Sequence, residues 1–491
     1  MLQLLAALAL VPLLVRGLGS EVFGAFQLVW VVLGYMALVD LGLGRATTRF
    51  VADALGRDAE AEIPEIVWSA ASLQLVMGIV GAVLCVAASG PLTRHVLDVP
   101  PALQSEVVSA LRWMGVAIPA VLLAASFSGV MEAHQRFDVV NAVRIPSGLA
   151  TPLAPLIALA FGARLVGIVR AVVLVRYLSA LAYYLAARHT VPVMRTGGRA
   201  RARRLRALLG FGGWVTVSSV VSPLMVYLDR FVIGARLGLQ AVAYYTAPFD
   251  AITRAAILPS GLAQALFPAF SALHAADERA RAGRIAAGGA RVLAAAIGAF
   301  AAAVIIGAHA GLALWLGPAF ADAGTLPLRI LAVGVFANAL AQIPYAVLQG
   351  AGRADITAAF HLGELPVYAA LLWLLTARYG IVGAAVAWAV RCTADATLLY
   401  VAARRPLGGA LRLRRPLLVG AGIPIAAACA VAAAGLDHGA ALAAAALAFA
   451  AAGALGWRAV LGDEERRAIL QLAAWRPRLA AQVTSASRSD A

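Results

Sequence analysis

Residues 18–50 read LGSEVFGAFQLVWVVLGYMALVDLGLGRATTRF, and their layout returns 219 positions further along the chain. Leu18-Gly19 falls on Leu237-Gly238, Gly42-Leu43 on Gly261-Leu262, and Ala46 on Ala265. The apolar runs between these points match in length and polarity. Few residues are identical, so the case for an internal duplication rests on whether the offset persists. It does. Arg136 and Asp138 answer to Arg353 and Asp355 at an offset of 217, and Gly167 and Ala171 to Gly383 and Ala387 at 216. Leu185-Ala-Ala-Arg188 answers to Val401-Ala-Ala-Arg404, again at 216. So small a drift across half a chain is hard to obtain by chance.

Composition says where such a chain resides. Of the 491 residues, 62% are hydrophobic and 13% charged, with mean hydropathy +0.87. Soluble chains carry about 25% charge, and repeated apolar runs of about 20 residues mark transmembrane helices. The net charge of +16 is carried by arginine alone, since the chain has no lysine. In a lipid-soluble chain that basicity points to anionic headgroups or an anionic substrate and not to nucleic acid. Cys85, Cys392 and Cys429 lie in separate apolar runs, which suggests neither a disulfide framework nor a metal site.

Fourteen apolar spans are expected, at 2–15, 22–44, 65–89, 106–131, 139–161, 165–187, 208–233, 241–268, 288–316, 326–350, 357–377, 381–403, 416–436 and 438–460. The expected fold is all-α and polytopic, with two parallel six-helix repeats and a C-terminal helix pair. An even number of spans per copy gives both copies the same polarity in the membrane. The expected parts are an N-lobe 1–187, a basic linker 188–207, a C-lobe 208–403, a basic loop 404–415, the pair 416–460 and a tail 461–491. The first span is short for a bilayer, and no cleavable leader is read there, so the expectation is an incomplete first helix. Alternate connections hold about 25 and about five arginines, which predicts both termini on the cytoplasmic side.

An ionisable group inside a span is costly and is by default a functional candidate. Near span centres lie Arg144, Arg170, Arg176, Asp250, Arg254, Arg291, His361, Glu364, Arg391 and Asp395. Asp40, Arg45, Arg112, Asp229, Arg230 and Arg329 lie nearer the ends, where snorkelling is the simpler reading. Asp250 with Arg254, and Arg391 with Asp395, are four apart and fit ion pairs along one helix face. Arg144, Arg170 and Arg176 then need a wet cavity or an anion, and guanidinium grips phosphate or diphosphate bidentately. The candidate anion site is therefore Arg254, Arg176, Arg170, Arg144 and Arg391, with Asp250 and Asp395 as candidates for coupling to H+ or Na+. The histidines, His309 and His438 among them, are scattered without ligand spacing, so no metal or other cofactor is expected. No glycine-rich phosphate loop, His-Glu zinc pattern or Ser/His/Asp set is present, so no enzyme and no catalytic residue is expected.

At these residues the chain resembles a known family. Leu18-Gly19 with Phe23-Gly24, Asp40-Leu-Gly-Leu-Gly44 followed by Arg49, and Asp229-Arg230-Phe-Val-Ile-Gly234 followed by Leu237-Gly238 are the first part of the pattern. Pro259 to Ser271, with Phe267-Pro268, and Gly383-Ala-Ala-Val-Ala387 complete it. The pattern covers about residues 1–405 and is similar to polysaccharide-repeat-unit (O-antigen type) flippases of the multidrug/oligosaccharidyl-lipid/polysaccharide (MOP) exporter superfamily. The resemblance implies a V-shaped two-lobe transporter that moves undecaprenyl-pyrophosphate-linked oligosaccharide by alternating access for surface polysaccharide or lipopolysaccharide. It further implies that Arg254, five residues before Pro259, matches a functional arginine of the related lipid II flippases. The symmetry-related residue is Tyr35, which departs from a symmetric arginine clamp. Expected partners are the lipid-linked oligosaccharide, membrane lipids, the coupling ion, and the polymerase and glycosyltransferases of the same pathway. Two alternatives stand beside this reading: a multidrug or small-molecule exporter of the same superfamily, and a non-transporting scaffold of a glycan assembly complex.

Overall fold

The structure, a computed structural model, describes residues 2–39, 43–192, 194, 224–407, 422–463 and 465–467. Among these residues every regular element is helical. The first copy of the repeat contains α1 (Leu2–Leu18), α2 (Ser20–Val39), α3 (Leu43–Gly56), α4 (Ile63–Pro91), α5 (Pro101–Val116), α6 (Ile118–Ala133), α7 (Phe137–Ala160) and α8 (Leu165–Thr190). The second opens with helix over 224–236, here α9, and continues with α10 (Gly238–Thr253), α11 (Ile257–Ala275), α12 (Arg279–Leu316), α13 (Pro318–Gly350) and α14 (Ala354–Ala403). The additional pair is α15 (Ile423–Ala433) and α16 (His438–Leu455). Most of the expected linker from 195, the seventh span up to 223, the basic loop over 408–415 and the tail beyond 467 lie outside the described residues.

Helix covers each expected apolar span at least in part, and nine helices among the described residues are long and apolar enough to cross a membrane. A membrane interior offers the backbone no water, so each apolar run closes its own hydrogen bonds as helix. Helix α14 is 50 residues long and is interrupted at Gly380, with φ 59° and ψ −142°. Uninterrupted it would reach about 75 Å against about 30 Å of hydrocarbon. It therefore supplies two crossings joined at the glycine, matching the expected spans 357–377 and 381–403.

The duplication is also written in the backbone. Gly19 and Gly238 both take φ +79°, where only glycine sits without strain, and each turns the chain into the next helix. Asp58 (φ 54°) pairs with Asp277 (φ 52°), Gln135 (55°) with Gly352 (72°), and Gly162 (76°) with Gly380 (59°). These pairs keep the offsets of 217 to 219 seen in the sequence. Arg136 binds Asp138 through Nε at 3.0 Å, and Arg353 binds Asp355 through Nε at 3.0 Å. Both ion pairs follow one of these left-handed turns and fix the entry to the next helix.

By packing density the chain divides into two units, Met1–Ala251 with His361–Ala384, and Ile252–Phe360 with Ala385–Ala491. In the first, α3, α4, α6 and α8 close on a core that includes Val51, Ile66, Val67, Phe127, Val130 and Ala187. In the second, α12 is the central helix, packed against α11, α13, α15 and α16. Its buried side is mostly small: Gly288, Gly289, Ala290, Ala294, Gly298, Ala301 and Ala302. In lipid, where apolar surface alone does not drive association, such residues let backbones approach and gain dispersion contacts.

Pro259 shapes the site-bearing helix. It has no N–H for the carbonyl four residues earlier, Ala255, and its ring crowds that carbonyl. The chain answers by tightening Arg254–Ala256 into a 3₁₀ turn between α10 and α11. Arg254 is thus the first residue of a break in an otherwise continuous helical span.

Candidate functional site

Helices α2 and α10 meet closely. Gln27 Nε2 donates to Thr246 Oγ1 at 3.3 Å, and these two residues are each other's repeat partners, 219 apart. Gln240 donates to Ser20 Oγ at 3.2 Å nearby. Gly24 makes the approach possible, because a Cβ there would fall 1.8 Å from the carbonyl oxygen of Leu239. No side chain can be housed at position 24 unless the helices part.

A buried charge cluster continues from this crossing. Gln27 Nε2 also donates to Asp250 Oδ2 at 3.3 Å. Arg230, from α9, donates through Nη2 to Asp250 Oδ1. Asp229 accepts from the Arg230 backbone N–H at 2.8 Å and from the Tyr245 hydroxyl at 3.0 Å. The guanidinium lies 5.2 Å from the Tyr227 ring and 5.8 Å from that of Phe249. Asp229 is fully buried, and the Arg230 side chain is 4% exposed against 34% for Asp250. The site thus seals its cation, while Asp250 stays partly exposed.

Position along the span suggested that Asp229 and Arg230 snorkel to the interface; both are buried instead. Asp250 was expected to pair along its own helix with Arg254, yet its contact with Arg230 comes from α9. What sequence signal existed was the placement of Gln27 and Thr246 at the repeat offset within apolar runs.

The other candidates are placed separately. Arg170 is exposed and stacks over Trp113, 4.8 Å from the ring centre. Arg144, also exposed on α7, bonds the Asn141 side-chain oxygen. Arg176 on α8 is half-buried, and its Nε is buried without a hydrogen-bond partner among the described residues. Arg144, Arg170, Arg176 and Asp250 belong to the first unit, while Arg254, Arg391 and Asp395 belong to the second. Arg254 is half-buried. Arg391 Nη2 lies 3.4 Å from Cys392 Sγ, and Asp395 is 7% exposed.

Arg291, a further in-span arginine, is bonded to Glu465, in the short helical segment after α16. Burial alone would raise the Glu465 carboxyl, but the hydrogen bond and charge of Arg291 outweigh it and hold that group below its ordinary range. A depressed carboxylate stabilises the fold above its unfolded pKa and loses that contribution as pH falls through the folded value. Acidification from pH 6 to about pH 3 should therefore release the segment around Glu465. Backbone hydrogen exchange around Glu465, read by mass spectrometry and corrected for the intrinsic pH dependence of exchange, checks this: protection is expected to fall in acid, and Glu465→Gln should be weakly protected at both pH values.

Comparison with known proteins places the chain. Residues 1–274 match the family model for polysaccharide biosynthesis proteins. A Shigella flexneri protein, named for O-antigen transport, is 31% identical over 403 residues, 80% of this chain and 93% of its own length. An inward-facing multidrug resistance MATE family transporter of the MOP superfamily superposes with TM-score 0.73 at 16% identity, covering 83% of this chain and 94% of that one. The lipid II flippase MurJ, in an inward closed conformation, gives 0.72 at 9% identity over 93% and 97%. At such identities the two structures speak for the fold alone.

Proposed function

The chain belongs to the polysaccharide biosynthesis protein family of the MOP superfamily, and from that premise we propose that it is a flippase for undecaprenyl-pyrophosphate-linked oligosaccharide. The observation that carries the reading is the similarity to the O-antigen transport protein of Shigella flexneri along nearly its whole length. In this reading the protein sits in the bacterial cytoplasmic membrane with both termini inside. It moves its substrate to the outer leaflet by alternating access and serves surface polysaccharide synthesis alongside the polymerase and glycosyltransferases of its pathway.

The diphosphate is the part of such a substrate that the membrane resists most, and arginine answers it with a paired fork of donors. We assign that role to Arg254, assisted by Arg144, Arg170, Arg176 and Arg391. Arg254 suits it because the 3₁₀ turn beneath it can tighten or relax as the helix bends. Arg176 suits it because its Nε is desolvated without a partner, a cost that an oxyanion would offset. The glycan crosses with the diphosphate and the prenyl chain stays in lipid. Asp250, the exposed member of the charge cluster, and Asp395 are the coupling carboxylates for H+ or Na+.

A multidrug exporter of cations would favour an acidic interior, whereas the ionisable residues of these spans are mostly arginine. Deleting the gene separates the two readings. The flippase reading expects loss of surface polysaccharide with unchanged drug susceptibility; the reverse phenotype would refute it.

A further inference from the structure

The sequence scatters His309 and His438, but the fold brings their rings to 5.3 Å between centres. They stand at the mouth of a 310 Å³ cavity where α12, α13 and the turn between α15 and α16 meet, all within the second unit. Thr325 and Arg329, from α13, line the same cavity. Arg329 Nε donates to the carbonyl of Ile305 at 3.0 Å, and Nη2 reaches the carbonyl of Ala432 at 3.5 Å. A guanidinium has five N–H donors, so this anchoring fixes the plane of the group and leaves donors to face a ligand. Each neutral imidazole adds one N–H more.

The other charged groups are accounted for. Asp322 is 77% exposed, with its Oδ1 3.6 Å from His309 Nε2. Asp437 caps α16, accepting from the Ala440 N–H at 2.8 Å. Leu314, Leu326, Leu436 and Leu442 are exposed on the helices and turn that form this crevice.

We propose that this crevice is a phosphate site for lipid headgroups, in which Arg329, His309 and His438 grip the phosphate while the exposed leucines meet the acyl chains. A tetrahedral oxyanion uses a fixed guanidinium and two imidazoles on separate helices, and 310 Å³ is the size of a small-ligand pocket. A basic pocket between transmembrane helices is a known form of headgroup recognition. A cation is disfavoured because Arg329 shares the crevice, and no group of three His, Cys, Asp or Glu among the described residues is arranged to hold a metal. The site lies on the arginine-poor side, so its assignment to the outer leaflet rests on the orientation proposed above; the phosphate chemistry does not.

The test uses the purified full-length protein in detergent, with diethylpyrocarbonate labelling of histidines read by mass spectrometry. Dihexanoyl phosphatidylglycerol should slow labelling of His309 and His438 about tenfold at saturation while His95 and His189 react as before. Dihexanoylglycerol, which lacks the phosphate, should protect neither. Arg329→Gln should abolish the protection. Protection by inorganic phosphate at the same concentration would identify a free anion as the ligand, and protection by the lipid alone would identify the headgroup; either supports a phosphate site. No protection from either, equal protection by dihexanoylglycerol, or protection by zinc chloride alone would overturn it. The wild-type comparison decides the matter even if Arg329→Gln does not fold.

Discussion

Arg230→Leu is expected to lose about 3–5 kcal/mol of stability, because it strands Asp229 and Asp250 in the membrane interior without their counter-charge. Arg230 is buried, bonded to Asp250 and adjacent to Asp229, so no water can replace it. The loss comes from the uncompensated acids more than from any strength of the pair, since burying a pair costs nearly what its attraction returns. Arg230→Leu combined with Asp250→Asn should therefore be more stable than Arg230→Leu alone. Thermal unfolding of the detergent-purified variants measures both. A double variant no better than the single would show that the arginine contributes through its packing on Tyr227 and Phe249 and not through charge.

Arg254→Ala and Arg176→Ala are expected to abolish surface polysaccharide while leaving the protein inserted and near wild-type abundance. Both residues are half-buried, and neither forms an ion pair among the described residues, so alanine orphans no buried carboxylate. If each contacts the diphosphate during its passage, its removal acts on transport of a doubly charged group through a low-dielectric path, where single contacts are worth several kcal/mol. Glycan display in a complemented deletion strain, with abundance followed by immunoblot, reads the two effects apart. Normal display by both variants would remove these arginines from the site.

The parts of this molecule legible in its sequence are those governed by local rules. Apolar length specified the helices, and Gly19 and Gly238 could be matched because a left-handed turn after a helix selects glycine in both copies. Pro259 removes a helix hydrogen bond, and the helix breaks at Arg254. What could not be read was set by packing between helices distant in sequence. Asp229 and Arg230 sit near a span end, which suggests snorkelling; a third helix, α10, lies over them and closes the way to water. His309 and His438 carry no ligand spacing because two helices distant in sequence, α12 and α16, bring them together. Arg170 looked bare in a list of residues, yet the face of Trp113 lies beside it.

The measurement that tests the central claim most directly is transport by the purified protein in proteoliposomes. Undecaprenyl-pyrophosphate-linked oligosaccharide, labelled on the sugar and loaded into one leaflet, is followed by its accessibility to an impermeant glycosidase on the opposite side. The account predicts protein-dependent appearance of label there, dependent on the ion gradient and absent with Arg254→Ala. Accessibility no greater than in protein-free liposomes, or transport undiminished by Arg254→Ala, would contradict it.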